Sequence, residues 1–163
     1  MKRLVLVTMS ASALFAAASY AAPQSVQVSG NVDPICAVTG LHASTNLHVG
    51  QLNAGSPTTG TVTDVTVQCN YASGATVTLT STNQGLKSTD PSSSILLDYT
   101  ASLDMGGSPV ALDTSTATSA SANYAGSTAL AAGVTSDLDI SVPTGTVFAG
   151  DYTDTLTITV AQQ

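Results

Sequence analysis

Apolar residues alternate with polar ones in two segments of this chain, one before the first cysteine and one near the C-terminus. The first segment has one face made of Val26, Val28, Gly30 and Val32. The second segment, residues 150–160, has one face that contains Leu156, Ile158 and Val160. Alternation with a period of two is typical of a β-strand with one side to bury. Each segment is therefore predicted to be a strand that needs an apolar partner surface.

The first 21 residues have the features of a secretory signal. Lys2 and Arg3 precede an apolar run, and Ser19-Tyr20-Ala21 forms a small-x-small cleavage site before Ala22. The apolar run is too short for a mature membrane anchor, and no later segment approaches the ~20 apolar residues that a span needs. We therefore expect export, removal of residues 1–21 and no direct membrane anchor.

The charge of the remaining chain excludes two classes of partner. Without the signal, Lys87 is the only basic residue and stands against ten aspartates. Binding to a run of phosphates or to an anionic lipid surface requires clustered basic side chains. We therefore expect no nucleic-acid partner and no membrane-surface partner.

Composition and spacing predict an all-β fold. The chain is rich in Thr, Ser, Val, Ala and Gly, and it has no Trp and no Glu. Alternating segments separated by turn residues recur at 65–69, 75–79, 97–103, 110–112 and 138–142. Residues 113–135 show the weakest pattern and are predicted to be a loop-rich or edge region. These features indicate one domain, an antiparallel β-sandwich.

Cys36 and Cys69 are the two cysteines of the chain. An even number of cysteines in an exported chain predicts one disulfide, which is worth about 3–4 kcal/mol through loop closure. Two free thiols are the alternative. A metal site formed by these cysteines with His42 and His48 has no supporting ligand spacing, so we expect neither a metal nor a cofactor.

The sequence offers little support for catalysis. His42 and His48 lie in a polar, turn-rich stretch, there is no Glu, and no Gly-x-Ser-x-Gly motif occurs. A Ser-His-Asp triad assembled only in space stays open as an alternative. The aspartates are scattered and do not form a calcium loop, so they are interpreted as surface charges. We expect that the protein is not an enzyme.

Four short segments together carry a resemblance to a known family. They are residues 28–38 (VSGNVDPICAV), 47–50 (LHVG), 65–70 (VTVQCN) and 149–155 (AGDYTDT). In their order and spacing the chain resembles the pilin subunits of bacterial chaperone–usher fimbriae, in the archaic branch that includes spore-coat-protein-U-like domains. The resemblance covers nearly all of the chain after residue 21.

The resemblance implies an immunoglobulin-like sandwich that lacks its last strand and is completed by a donor strand from another chain. Residues 22–34 would be the donor-strand extension, with Val26, Val28, Gly30 and Val32 as the donor face, and residues 35–163 the pilin-like domain. The wall of the acceptor groove would contain Gly150, Tyr152, Leu156, Ile158 and Val160. The implied partners are a periplasmic chaperone, an outer-membrane usher and other copies of this or related pilins. The implied destination is a fimbria at the cell surface that supports adhesion or biofilm formation.

Other interpretations of the same residues stay open. The N-terminal alternation could be the first strand of a closed sandwich, and Gly150 and Tyr152 could be a plain turn and an interface tyrosine. A secreted monomeric carbohydrate-binding or adhesive sandwich is the alternative function, and a spore-coat-type protective protein would share the fold. A sugar would need an exposed aromatic ring, for which the candidates are Tyr71, Tyr99, Tyr124, Tyr152 and Phe148.

Overall fold

The computed structural model describes residues 24–41, 57–145 and 147–163. The predicted signal (1–21), His42, His48 and the 47–50 motif lie outside the described residues. The chain divides into two units, one up to Val32 and one from Asp33 onward. The second unit contains all the described strands and one short helix, and strands account for 48% of the structure. The prediction of an all-β antiparallel sandwich is confirmed.

Eleven strands and one helix are described. In chain order they are β1 (Cys36–Thr39), β2 (Thr58–Cys69), β3 (Ala75–Ser81), β4 (Leu86–Ser88), β5 (Leu96–Leu97), β6 (Thr100–Leu103), β7 (Val110–Asp113), β8 (Ser119–Tyr124), α1 (Thr128–Ala132), β9 (Val134–Val142), β10 (Tyr152–Thr153) and β11 (Leu156–Gln162). They form a five-stranded sheet in the order β1-β2-β9-β6-β7, a three-stranded sheet β11-β3-β8, and a small sheet β10-β4-β5. Within the described residues, no helix is long and apolar enough to cross a membrane.

The core lies between the five-stranded sheet and the sheet β11-β3-β8. Alternate residues along each strand face inward, as period-two geometry requires. Those that are essentially inaccessible to solvent include Val65, Val67, Val77, Leu79, Leu103, Val110, Leu112 and Val142. Aliphatic side chains therefore supply nearly all of this core, which agrees with a chain that contains no tryptophan.

Most of the predicted strands are present, with different ends. Segments 75–79, 110–112 and 138–142 lie within β3, β7 and β9, and 65–69 is the last part of the longer β2. Segment 97–103 is not one strand, because the chain leaves β5 after Leu97 and re-enters a different sheet at Thr100. Tyr99 lies between the two strands and is buried.

Residues 113–135 contain two elements that the sequence pattern did not predict individually. β8 is an edge strand of its sheet, which agrees with the edge alternative for this region. α1 was not predicted. It begins after Ser127, whose hydroxyl accepts a hydrogen bond from the Leu130 nitrogen at 3.1 Å, as an N-cap side chain does. A single turn anchored by one buried residue, Leu130, has too few positions to show a helical period.

The C-terminal alternation also proves to be two strands, a correction to the single strand predicted from Gly150 to Val160. Tyr152 and Thr153 form β10 and pair with β4, whereas Leu156–Gln162 form β11 and pair with β3. Gly150 has a φ of +148°, which favours glycine, and residues 154–155 separate β10 from β11.

The predicted disulfide between Cys36 and Cys69 is present and joins residues 33 positions apart. The two cysteines are direct partners in the antiparallel pair β1–β2. The disulfide therefore fixes a four-residue edge strand to the longest strand of the sheet.

Gly40 ends β1. Its φ is +84°, and a Cβ at this position would lie 2.0 Å from the carbonyl oxygen of Asp64. Asp64 itself has a positive φ of 63° and lies where the β2–β9 register shifts between Val62 and Val65. The chain can therefore pass this bulge only with glycine at residue 40.

Candidate functional site

Two edge strands lie side by side on one flank of the sandwich. β1 is the end strand of the five-stranded sheet and pairs with β2, and β11 is the end strand of the other sheet and pairs with β3. β1 and β11 are neighbours. Within residues 24–41, 57–145 and 147–163, no strand pairs with the second edge of either one. We call the flank between β1 and β11 the open edge.

The two strands of the open edge run in opposite directions. β11 ends at Gln162, which is the partner of Ala75, and the Gln163 nitrogen donates to the Gly74 oxygen at 3.2 Å. β1 begins at Cys36, opposite Cys69, whose Sγ lies 3.9 Å from the same Gly74 oxygen. The end of β11 and the start of β1 are thus at one end of the sandwich.

The open edge presents apolar side chains that are only partly covered. On β11, Ile158 is buried, but Leu156 and Val160 on the same face are half-buried. On β1, Cys36 and Val38 pack against the core and are also half-buried. This row of incompletely buried side chains has the character of a groove that an apolar strand could fill.

The opposite flank, between β7 and β8, is different. There the chain itself crosses from one sheet to the other through residues 114–118. The Tyr124 hydroxyl also donates a hydrogen bond to the Ser108 oxygen at 3.0 Å, which ties β8 to the loop before β7. An added strand at this flank would have to displace these connections.

Asn70 anchors the residues that lead into β1. Its side-chain oxygen accepts from the Ile35 nitrogen at 2.9 Å, and its side-chain nitrogen donates to the Asp33 oxygen at 2.8 Å. Its own backbone nitrogen donates to the Ile35 oxygen at 3.0 Å. One side chain at the end of β2 therefore fixes the backbone immediately after Val32, where the second unit begins.

Asp154 anchors the residues that lead into β11. Its Oδ2 accepts from the Ser81 hydroxyl at 2.5 Å and from the Tyr99 hydroxyl at 2.7 Å. Its Oδ1 accepts from the backbone nitrogens of Asn83 at 2.9 Å and Thr155 at 2.8 Å. A single carboxylate thus joins the end of β3, the segment before β6 and the start of β11.

Tyr99 is the buried member of this cluster. Its backbone nitrogen donates to the Thr114 hydroxyl at 2.8 Å, and that hydroxyl donates to the backbone carbonyl oxygen of Tyr99 at 3.1 Å. Burial of the ring, followed by the hydrogen bond to Asp154, raises the pKa of the Tyr99 hydroxyl well above its ordinary value. The phenol is therefore neutral and available as a donor to Asp154 at any physiological pH.

The described part of the predicted donor segment, residues 24–34, belongs to no strand or helix. Val26, Val28 and Val32 are 87%, 94% and 81% exposed, and Gly30 has nothing within 4 Å of where a Cβ would lie. The expected strand is absent because a strand needs a partner for its backbone groups and its apolar face. The close approach that would explain Gly30 is also absent from the single chain.

The five residues predicted for the groove wall do not all lie at the open edge. Leu156, Ile158 and Val160 line β11 as expected. Tyr152 pairs with Ser88 in the small sheet and donates from its hydroxyl to the Phe148 oxygen at 3.0 Å. Gly150 lies in the turn before Tyr152. These two residues fit the turn-and-tyrosine alternative better than a place on the groove wall.

Most of the aromatic residues considered for sugar binding are buried or pack against the core. Tyr99 is buried, and Tyr71 and Tyr124 pack against the core. Phe148 is 68% exposed. In the part of the chain that the structure describes, no cluster of three His, Cys or Asp residues could hold a metal ion.

Sequence reasoning gave no role to Asn70 and interpreted Asp154, like the other aspartates, as a surface charge, which is wrong for this partly buried carboxylate. Both lie within motifs that carry the family resemblance, and an Asn or Asp next to a strand end is a common local hydrogen-bonding residue. Apart from Thr155, their partners lie 35 to 73 residues away in sequence and are visible only in the folded chain. Searches of known protein families, of curated proteins and of solved structures find no match to this chain.

Proposed function

We propose that this protein is a structural subunit of a surface fimbria, exported through the periplasm and polymerised by donor-strand exchange. The observation that supports this function best is the open edge, where β1 and β11 are neighbours, each has an edge with no described strand partner, and the apolar side chains between them are half-buried. A strand supplied by another chain would complete both sheets at this flank.

The N-terminal segment has the chemistry of the incoming strand. Its three valines alternate with polar residues and are almost fully exposed in the single chain. Burying three valines at ~1.5–3 kcal/mol each gives a gross gain of roughly 5–9 kcal/mol per junction, and this is an upper bound. Main-chain hydrogen bonds to the two strand edges would add to it.

The geometry of such a contact produces a fibre. Donor and acceptor are different patches of one chain, so each subunit can donate to one neighbour and accept from another. A contact of this kind does not close on itself unless its rotation happens to form a ring. The proposed assembly is therefore an open filament that supports adhesion or biofilm formation.

Unfilled strand edges also account for the proposed chaperone and usher. An exposed edge with partly uncovered apolar side chains is an aggregation hazard. A periplasmic chaperone that covers the open edge until the next subunit arrives, and an outer-membrane usher that mediates the exchange, would prevent unspecific pairing.

A pair of matched substitutions in the N-terminal segment tests the proposal. Val28→Asp puts a carboxylate on the apolar face, and Gln27→Asp puts the same charge on the polar face of the same segment. With residues 22–163, co-expressed with the chaperone, we expect Val28→Asp to abolish filaments in electron microscopy, because burial of an unpaired carboxylate costs several kcal/mol. Gln27→Asp should still polymerise. Equal polymerisation of the two variants, or a wild-type chain that stays a stable monomer, would overturn the proposal.

A further inference from the structure

The four hydrogen bonds accepted by Asp154 lie directly before the strand that forms half of the open edge. Thr155 follows Asp154 and donates to its Oδ1, and the Thr155 oxygen then accepts from the Thr82 nitrogen at 3.0 Å. The regular β11–β3 ladder begins at the next residue, where Leu156 pairs with Ser81. Asp154 thus lies two residues before the first residue pair of the β11–β3 ladder.

The partners of Asp154 are held rigidly by the rest of the fold. Ser81 is 3% exposed and is the last residue of the central strand β3. Tyr99 is also 3% exposed. The hydroxyl of Thr114, which has no exposed surface, is hydrogen-bonded to both the backbone nitrogen and the backbone oxygen of Tyr99. The carboxylate therefore connects the start of β11 to two buried points in different parts of the sandwich.

β11 needs such an anchor more than the central strand of its sheet, β3, does. It pairs with β3 on one side, and its other edge borders the open edge. A strand that is held on one side only can fray or slip, and a shift of one residue would turn Leu156, Ile158 and Val160 away from the core face. A fixed point just before its first residue would prevent both movements while the groove is empty.

We propose that Asp154 is a positioning residue for strand uptake: it holds β11 in register so that the open edge can accept a donor strand. This inference rests on the proposed function, since it concerns how the same acceptor edge is kept ready. Asp154 does not contact the donor. It acts through Thr155 and the backbone of β11.

The test measures donor uptake by the chain of residues 22–163 with a fluorescent peptide of residues 22–34 as the probe. Asp154→Ala removes all four acceptor contacts. Asp154→Asn keeps an oxygen for the Asn83 and Thr155 nitrogens and loses the acceptor for the two hydroxyls. We expect Asp154→Ala to slow peptide capture by about tenfold or more, as loss of hydrogen bonds to a charged group allows, with Asp154→Asn intermediate.

Two control variants separate positioning from a general loss of stability. Asp90→Asn removes a carboxylate whose bonds are local, to the Ser92 nitrogen at 2.8 Å and hydroxyl at 2.6 Å, and should capture the peptide at the wild-type rate. Val110→Ala creates a cavity in β7, a strand of the opposite flank, and lowers stability without touching β11. If the melting temperatures of Val110→Ala and Asp154→Ala are similar, Val110→Ala should slow peptide capture much less than Asp154→Ala does.

Hydrogen exchange supplies a readout that a general loss of stability would not produce. We expect the amides of β11 to lose protection in Asp154→Ala while those of β6 and β9 keep theirs, and we expect bound peptide to restore part of the lost protection. If Asp154→Ala and Asp90→Asn capture the peptide equally fast, the inference is wrong and the proposed function stands. If the wild-type chain captures no peptide at all, the proposed function itself fails.

Discussion

Asn70 forms two hydrogen bonds with the backbone of Ile35. The Ile35 nitrogen donates to the Asn70 side-chain oxygen at 2.9 Å, and the Asn70 backbone nitrogen donates to the Ile35 oxygen at 3.0 Å. In a third hydrogen bond, the Asn70 side-chain nitrogen donates to the backbone oxygen of Asp33, two residues before Ile35. This arrangement fixes the point at which the chain leaves the sandwich toward its N-terminus.

Removing the Asn70 side chain should loosen the start of β1. Asn70→Ala loses two hydrogen bonds of about 0.5–1.5 kcal/mol each, so we expect about 1–3 kcal/mol lower stability in urea unfolding and faster exchange of the Ile35 amide. Asn70→Asp keeps the acceptor for Ile35 and should retain that protection. Unchanged Ile35 exchange in Asn70→Ala would show that the side chain is not the anchor.

The disulfide should carry a large share of the stability. Replacing Cys36 and Cys69 together with alanine should lower the free energy of unfolding by about 3–4 kcal/mol and reduce the yield of exported protein, because loop closure is lost. Urea denaturation of the two proteins measures the difference. Two reactive thiols in the folded wild-type protein would contradict this prediction.

A charge on the inner face of β11 should block acceptance of a donor strand. Val160 is half-buried on the core-facing side, and Thr159 beside it is exposed on the other side. We expect Val160→Asp subunits to stop accepting a donor while they still donate to wild-type subunits, because the incoming strand would bury an unpaired carboxylate.

Mixing experiments with labelled subunits measure both activities. Thr159→Asp is the matched control, and it should accept and donate normally. If Val160→Asp does not fold, the milder Val160→Thr takes its place, and it should weaken acceptance of the donor strand. Normal acceptance by both Val160 variants would place the groove elsewhere.

Deleting residues 22–32 should separate the two halves of the proposed contact. The remaining chain, which contains all the described strands, should still bind its chaperone and cap a growing fibre, but it should not add to the next subunit. Pull-down with the chaperone and fibre-length distributions check this. A truncated chain that fails to fold with chaperone present would assign residues 22–32 to its own core and favour the closed sandwich.

Alkaline pH should reveal the buried phenol. The pKa of Tyr99 is raised in the folded protein, whereas in the unfolded chain the same group loses its proton near pH ~10. Above that pH the unfolded state binds fewer protons than the folded state, so stability should fall as pH rises, and below it Tyr99 should have no effect. The Tyr124 hydroxyl, whose pKa is also raised, adds a smaller contribution of the same sign.

Tyr99→Phe isolates this contribution. Between about pH 9 and pH 11 the wild type should lose more unfolding free energy than Tyr99→Phe does. Absorbance at the wavelength of tyrosinate counts the ionised phenols. The folded wild type and folded Tyr99→Phe should differ by one phenol only at the highest pH, where Tyr99 itself ionises. Equal losses for the two proteins would mean that Tyr99 ionises normally.

The sequence alone determined the fold class, the disulfide and several of the strands. These features depend on local alternation and on a count of two cysteines, and both are independent of where distant segments lie. Strands such as β3 and β7, with valine or leucine at alternate positions, were therefore predictable. β8 was not predicted as a strand because two of its three inward positions are Ala120 and Ala122, whose small side chains give a weak apolar signal.

Only the tertiary structure decided which strand edges have partners and which residues hold them. Tyr99 and Asp154 lie where two alternating segments are interrupted, and they bond to each other across 55 residues of sequence, a contact that no local pattern encodes. The same holds for Asn70 and Ile35, 35 residues apart. The position of β1 beside β11 depends on the order of strands in two sheets, which is set by packing of the whole core and not by any one segment.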